Sequence, residues 1–459
     1  MDERSHRYLP TGSQDLTEML RRIGAESIEA LFATIPAEIR LDAPPDLPGP
    51  EGDLELRRYF GRLEQANRVA GRDVASFLGG GAYRHEVPAA VDHLLHRAEF
   101  FTVYTPYQPE ISQGTLQAIF EFQTLVSMLT GLPVANASLY DGASAFAEAI
   151  LMADRLQRGR RKVVVSRGVH PQYREALATY VQNLELEVVE VGWDEDGATD
   201  RSALADQVDE ETVCVAVQSP NYFGVVEGWR RAAEVAHAAG ALVVGVVAEA
   251  LSMALLESPG AGGCDIAVGE AQSFGLSLAY GGPYLGFLAA GDDAKRAMPG
   301  RLVGETVDVD EKRAFVLTLA TREQHIRRAK ATSNICTNQS LCALAATIYL
   351  ALHGKSGLRR LAEINLQRAA RLRRRLEAID GVEARFASPS FNEFLLRTRK
   401  DPESLLSELG ERGILGGLSI GGDYPELDDT LLVAVTETNP VDELSAYETA
   451  LSDLVGGNR

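Results

Sequence analysis

An α/β protein is predicted, with a large sheet covered on both faces, a smaller α+β domain after it and a helical arm before it. Three observations lead there. A chain of 459 residues suits two compact domains plus an extension. Short valine-rich apolar runs alternate with helical stretches from about residue 135. Near residue 380 that rhythm gives way to strands surrounding a single helix. The expected boundaries are 1–75 for the arm and linker, 76–338 for the large domain and 339–459 for the small one.

The arm reads as helical: Ser13 suits the cap of a helix ending at Gly24, and Ser27 that of another stopped by Pro36. Ala43-Pro44-Pro45-Asp46-Leu47-Pro48-Gly49-Pro50 makes a stiff linker. Strands are expected at Lys162–Ser166, Leu186–Val191, Val213–Gln218, Leu242–Val247, Asp265–Val268 and Leu285–Ala290, with helices at Gln172–Leu184 and Arg230–Ala239. Runs this continuously apolar belong to a parallel or mixed sheet buried on both sides. Arg371, Arg373, Arg374 and Arg375 sit over an apolar helical face (Leu358, Leu361, Ala369, Leu372, Leu376 and Ile379) and read as its solvated side. Val382–Phe386, Phe391–Arg397 and Leu431–Val435 then read as strands around a helix at Pro402–Arg412, with a last helix from Pro440. This layout resembles the aspartate-aminotransferase-like superfamily, the fold type I of pyridoxal-phosphate-dependent transferases.

Composition narrows the function. A formal charge of −20 argues against nucleic-acid binding, which relies on a positive field. The N-terminal Met1–His6 stretch has no apolar core, and the apolar run Ala238–Leu256 is broken by Gly240, Gly245 and Glu249, so neither a signal peptide nor a membrane span is expected. Four cysteines without a CxxC pair suggest reduced thiols and a cytoplasmic protein, with no metal site.

Five segments, in order, resemble one family, the glycine cleavage system P-protein: Tyr104–Gly114, Ala135–Leu139, Met298–Arg301, the block Thr321–Thr337, and Phe391-Asn392-Glu393-Phe394. The length matches the alpha chain (subunit 1) of the two-chain form. The resemblance implies glycine dehydrogenase (decarboxylating) activity. Glycine is decarboxylated with pyridoxal phosphate as electron sink, and the aminomethyl group passes to the lipoyl group of the H-protein. It also implies a beta chain (subunit 2) as partner in an α2β2 assembly.

Such chemistry needs a lysine after a sheet strand to hold the cofactor, an acid for its pyridine nitrogen and donors for its phosphate. The chain has six lysines (Lys162, Lys295, Lys312, Lys330, Lys355 and Lys400), and where the family's active chain carries His-Lys it has Gln272-Ser273. Serine cannot form an imine, so pyridoxal phosphate is expected on the beta chain. Glu249, at a strand end, stands where the superfamily has aspartate. Asn136-Ala137-Ser138 and Gly142-Ala143-Ser144 are similar to a phosphate-cupping turn, with Ser144 alternatively a helix cap.

In this superfamily each chain lends residues to its neighbour's site. The resemblance therefore implies roles across an interface for Tyr104, Tyr107, Glu110 and His325 in catalysis. Arg322, Thr332, Ser333 and Asn334 would make cofactor or substrate contacts there. Two alternatives stay open: a scaffold whose block residues only hold an interface, and a self-sufficient enzyme using Lys330 inside its basic stretch. Gly417–Gly421 matches GxSxG without the following helix, Gly79-Gly80-Gly81 lacks a preceding strand, and His93 and His96 lack a third ligand.

Overall fold

The structure, a computed structural model, describes residues 10–41, 43 and 45–456. The Met1–His6 stretch and Pro44 of the linker, both read above, lie outside the described residues except in sequence. Two compact units emerge, Met1–Asn67 and Arg68–Arg459.

In the first unit, α1 (Ser13–Ile23) and α2 (Asp53–Ala66) bury none of their residues. Gly24, at φ +79°, ends α1 by donating its N–H to the Leu20 carbonyl. Ser13 is the first helical residue after a Gly12 cap, and the helix expected after Ser27 is one 3-10 turn, Glu29–Phe32. Ser27 Oγ accepts from Ala30 N (3.1 Å), so the cap exists but the prolines and polar residues beyond leave nothing to propagate.

The second unit opens with β1 (Ala75–Ser76), α3 (Ala89–Leu95), α4 (Ala98–Phe101) and α5 (Gln113–Thr130). Its main sheet comprises β2 (Val134–Ala135), β3 (Lys162–Ser166), β4 (Glu187–Val191), β5 (Thr212–Gln218), β6 (Leu242–Val247), β7 (Ile266–Glu270) and β8 (Gly286–Ala290), in the order β2-β8-β7-β6-β5-β3-β4. Only β8 runs against its neighbours. The helices α6 (Gly142–Leu156), α7 (Pro171–Val181), α8 (Arg201–Gln207) and α9 (Trp229–Ala238) connect these strands. Val163 and Val165 pack with Phe146 and Ile150 on one face, while Val164 packs with Phe122 and Val243 on the other. That double burial is why the strands are apolar at consecutive positions.

An antiparallel hairpin follows, β9 (Leu302–Val307) and β10 (Arg313–Thr318), then α10 (Gln324–Arg327) and α11 (Ser340–Glu377). Gly354, at φ +58°, breaks α11: Tyr349 and Leu350 before it pack with the main sheet, and Leu372 and Leu376 after it pack in the second core. That core lies against a four-stranded antiparallel sheet of β11 (Val382–Ala384), β12 (Glu393–Thr398), β14 (Leu418–Ser419) and β15 (Thr430–Ala434). The short β13 (Ile414–Leu415) pairs with β1, and α12 (Pro402–Glu411) and α13 (Val441–Val455) complete the unit.

The arginine cluster is less solvated than its pattern suggested. Arg373 donates to the Phe386 and Ser388 carbonyls and pairs with Glu377, and Arg375 pairs with Glu448 of α13. Long side chains reach back over the helix they leave, so a polar stripe can tie down neighbouring segments.

Candidate functional site

Ligands of open parallel sheets bind beyond the carboxyl ends of the strands. Here those ends carry His170 after β3, Glu249 after β6 and Glu270 closing β7, all buried. Ser273 follows β7, 1% exposed, and its Oγ has no hydrogen-bond partner among the described residues.

Glu249 belongs to a buried charge cluster. His85 Nε2 lies 3.1 Å from Glu249 Oε2, and His85 Nδ1 lies 2.9 Å from Glu437 Oε2. Glu249 also accepts from Asn392 Nδ2 (3.0 Å) and Leu251 N (2.9 Å), and Glu437 from Glu86 N and Asn365 Nδ2. Burial opposes a charge on His85, but the Glu249 carboxylate and then Glu437 outweigh it and raise its pKa to about 10. The same pairing, against burial, lowers Glu437 to about 2. That balance favours an imidazolium at His85.

A second network adjoins it. Glu393 accepts from Tyr83 Oη and Gly80 N (both 2.6 Å), Tyr83 N donates to Gln272 Oε1 (3.0 Å), and His170 Nε2 meets the Gly80 carbonyl (2.7 Å). Burial raises Glu393 to about 7 despite those donors.

At the N-terminus of α6, Asp141 is the cap, accepting from Ser144 N at 2.7 Å. Ser144 occupies the third helical position, so the expectation of Ser144 as cap is corrected by three residues. Glu270 Oε2 accepts from Gly142 N (2.9 Å), and its Oε1 accepts from Gln272 N (3.0 Å) and Leu285 N (2.7 Å).

The block residues belong to the same unit, some exposed and some buried. Tyr107 and His325 rings meet edge to face, centroids 6.0 Å apart, and the buried Arg301 guanidinium lies 5.5 Å from the Tyr107 ring. Arg322 is buried and donates to the Leu319, Met298 and Gly300 carbonyls, so its guanidinium holds the chain's own backbone. Thr332 N donates to the Arg322 carbonyl (3.0 Å). Ser333 Oγ donates to Glu148 Oε1 (2.8 Å), a carboxyl whose pKa burial raises. Tyr104 is 78% exposed, and Glu110, Asn334 and Lys330 are also exposed. Thus Tyr107 and His325 are brought together, while Arg322 and Ser333 have internal partners.

These residues do not fit pyridoxal phosphate. The position after β7 offers a hydroxyl, the acid after β6 is engaged by His85, and the helix end that would cup a phosphate already holds a carboxylate.

The glycine cleavage system P-protein family matches residues 6–450. The chain belongs to that family. "Probable glycine dehydrogenase (decarboxylating) subunit 1" of Azorhizobium caulinodans is 52% identical over 451 residues, 98% of this chain and 100% of the relative. The protein of the same name from Moorella thermoacetica is 48% identical over 448 residues, 98% and 99% of the two chains. A crystal structure of glycine decarboxylase (P-protein) of the glycine cleavage system, in inhibitor-bound form, superimposes with TM-score 0.89 at 45% identity, covering 97% of this chain and 99% of that one. Sphingosine-1-phosphate lyase from Burkholderia pseudomallei K96243 shares the fold alone, at 16% identity and TM-score 0.66.

Within this P-protein chain, sequence reasoning missed His85, Glu437, Tyr83, His170 and Glu270. Glu393 and Arg301 lay in the family segments but carried no role. The segments themselves were the available signal for these two, since both residues are buried and charged where a core would otherwise be apolar.

Proposed function

We propose that this chain is the alpha subunit of glycine decarboxylase, the P-protein of the glycine cleavage system. With a beta subunit, in an α2β2 assembly in the cytoplasm, it takes part in decarboxylation of glycine and aminomethyl transfer to the lipoyl group of the H-protein. Pyridoxal phosphate, held by the beta subunit, supplies the electron sink. One observation carries this division: buried Ser273, an alcohol with no partner among the described residues, stands where the family's active chain has its lysine.

This chain's contribution is an edge offered to its partner. Tyr107 and His325 present a phenol and an imidazole at that edge, backed by Arg301, with Tyr104 and Glu110 on the same exposed segment. Arg322 and Thr332 position this edge by bonding its backbone. Large exposed apolar residues at Tyr104 and Ile111, and an N-terminal unit whose helices bury nothing, support a permanent partner.

The test is to purify the chains separately. The alpha chain alone should show neither cofactor absorbance nor glycine-dependent carbon dioxide exchange, and the mixed chains should show both. The scaffold reading is favoured by one observation, the internal bonding of Arg322 and Ser333. His325→Ala and Glu110→Ala separate the two readings. Intact assembly with lost turnover supports a shared site, and lost assembly supports the scaffold.

A further inference from the structure

The first turn of a helix has amide hydrogens without internal partners, and together with the helix dipole they make a seat for an anion. In α6, a helix of 15 residues, that seat faces the end of β7. Its Gly142 N–H is bonded by Glu270 Oε2, and the other carboxylate oxygen gathers Gln272 N and Leu285 N, so three backbone donors converge on one side chain. This is how a protein holds a phosphate, but the anion here is covalently part of the chain. The space is filled as well: a methyl on Gly142 would lie 2.0 Å from Tyr173 Oη and 3.1 Å from Glu270 Cβ. Three residues after Glu270, Ser273 is buried with a hydroxyl that has no hydrogen-bond partner among the described residues.

We infer that Glu270 is a resident anion that closes the α6 seat, so that phosphate-bearing molecules are excluded from this chain by Glu270 independently of the serine at 273. Two physical effects act together. Glu270 engages the Gly142, Gln272 and Leu285 amides while the Asp141 cap holds Ser144 N, and an entering dianion would meet the buried Glu270 carboxyl group. Burial pushes the Glu270 pKa up to about 7, against its charge, so the ionised form is held there by the three amides that donate to it. This goes beyond the division of labour proposed above, since a chain could leave the chemistry to a partner with its own seat open.

The experiment uses the full chain purified alone, with inorganic phosphate and pyridoxal phosphate as probes. Thermal unfolding in increasing phosphate, at ionic strength matched with chloride, should show no saturable rise for the parent and a saturable rise for Glu270→Ala. Glu270→Ser, whose hydroxyl retains part of the bonding, serves if the alanine variant does not fold. Borohydride reduction with pyridoxal phosphate and peptide mapping should leave position 273 almost unlabelled in Ser273→Lys. Adding Glu270→Ala should raise the label by on the order of tenfold. A saturable phosphate response in the parent would overturn the inference. So would Ser273→Lys labelling as strongly as the double variant. Label on Lys330 in the unsubstituted chain would instead contradict the proposed function and leave Glu270 untouched.

Discussion

Replacing His85 by alanine tests whether the buried charge cluster depends on its cation. The ring is 1% exposed and bridges Glu249 and Glu437, so its removal leaves the buried Glu249 and the part-buried Glu437 without their cation. Breaking a buried pair this way costs about 3–5 kcal/mol. Each carboxylate keeps two neutral donors, which places the expected loss near the lower end, about 3 kcal/mol. Proton linkage gives an independent figure. The folded pKa of about 10 lies above the unfolded 6.5, so the stability this group contributes is full below pH 6.5 and is lost as pH rises towards 10. Between pH 7 and alkaline pH that amounts to about 4 kcal/mol at 1.36 kcal/mol per pKa unit. The depression of Glu437 reports the same contact and is not added. Urea unfolding followed by circular dichroism at a series of pH values reads both. A chain this long need not unfold in one step, so the earliest transition is the quantity to compare. His85→Ala should lower its midpoint at pH 7 and flatten its alkaline decline. A variant within 1 kcal/mol of the parent with the same alkaline decline would refute the imidazolium.

Two other outcomes are expected. For Glu393, the folded pKa of about 7 exceeds the unfolded 4.5, so its contribution is full below pH 4.5 and lost by pH 7, about 3 kcal/mol. Glu393→Gln should flatten that part of the stability curve, whereas an unchanged slope would mean the carboxyl is not confined by burial. Arg322→Ala removes three donors to the Leu319, Met298 and Gly300 carbonyls and should lower turnover of the assembled complex, with faster hydrogen exchange around 319–332. Arg322→Lys should not restore it, because an ammonium cannot reproduce the planar fork.

The main sheet was legible because its strands are buried on both faces, leaving unbroken runs such as Val163–Val165 and Val213–Val217. The β9–β10 hairpin was not, since it alternates only weakly and turns through Glu311 at φ +60° without a glycine. At the ends of β6 and β7, Ser273 and Glu249 were legible because the motif's departure is local. Their surroundings were not: His85 meets partners 164 and 352 positions away, separations at which periodicity carries no information. The arginines of α11 show the same limit, since a solvated stripe and a set of backbone clamps have one pattern.

The division of chemistry between chains is tested most directly by borohydride trapping of the active two-chain complex supplied with glycine and pyridoxal phosphate, followed by peptide mapping of both polypeptides. The account predicts covalent label on the partner chain and none on any of the six lysines of this one. Stoichiometric label on a lysine of this chain, Lys330 above all, would contradict it.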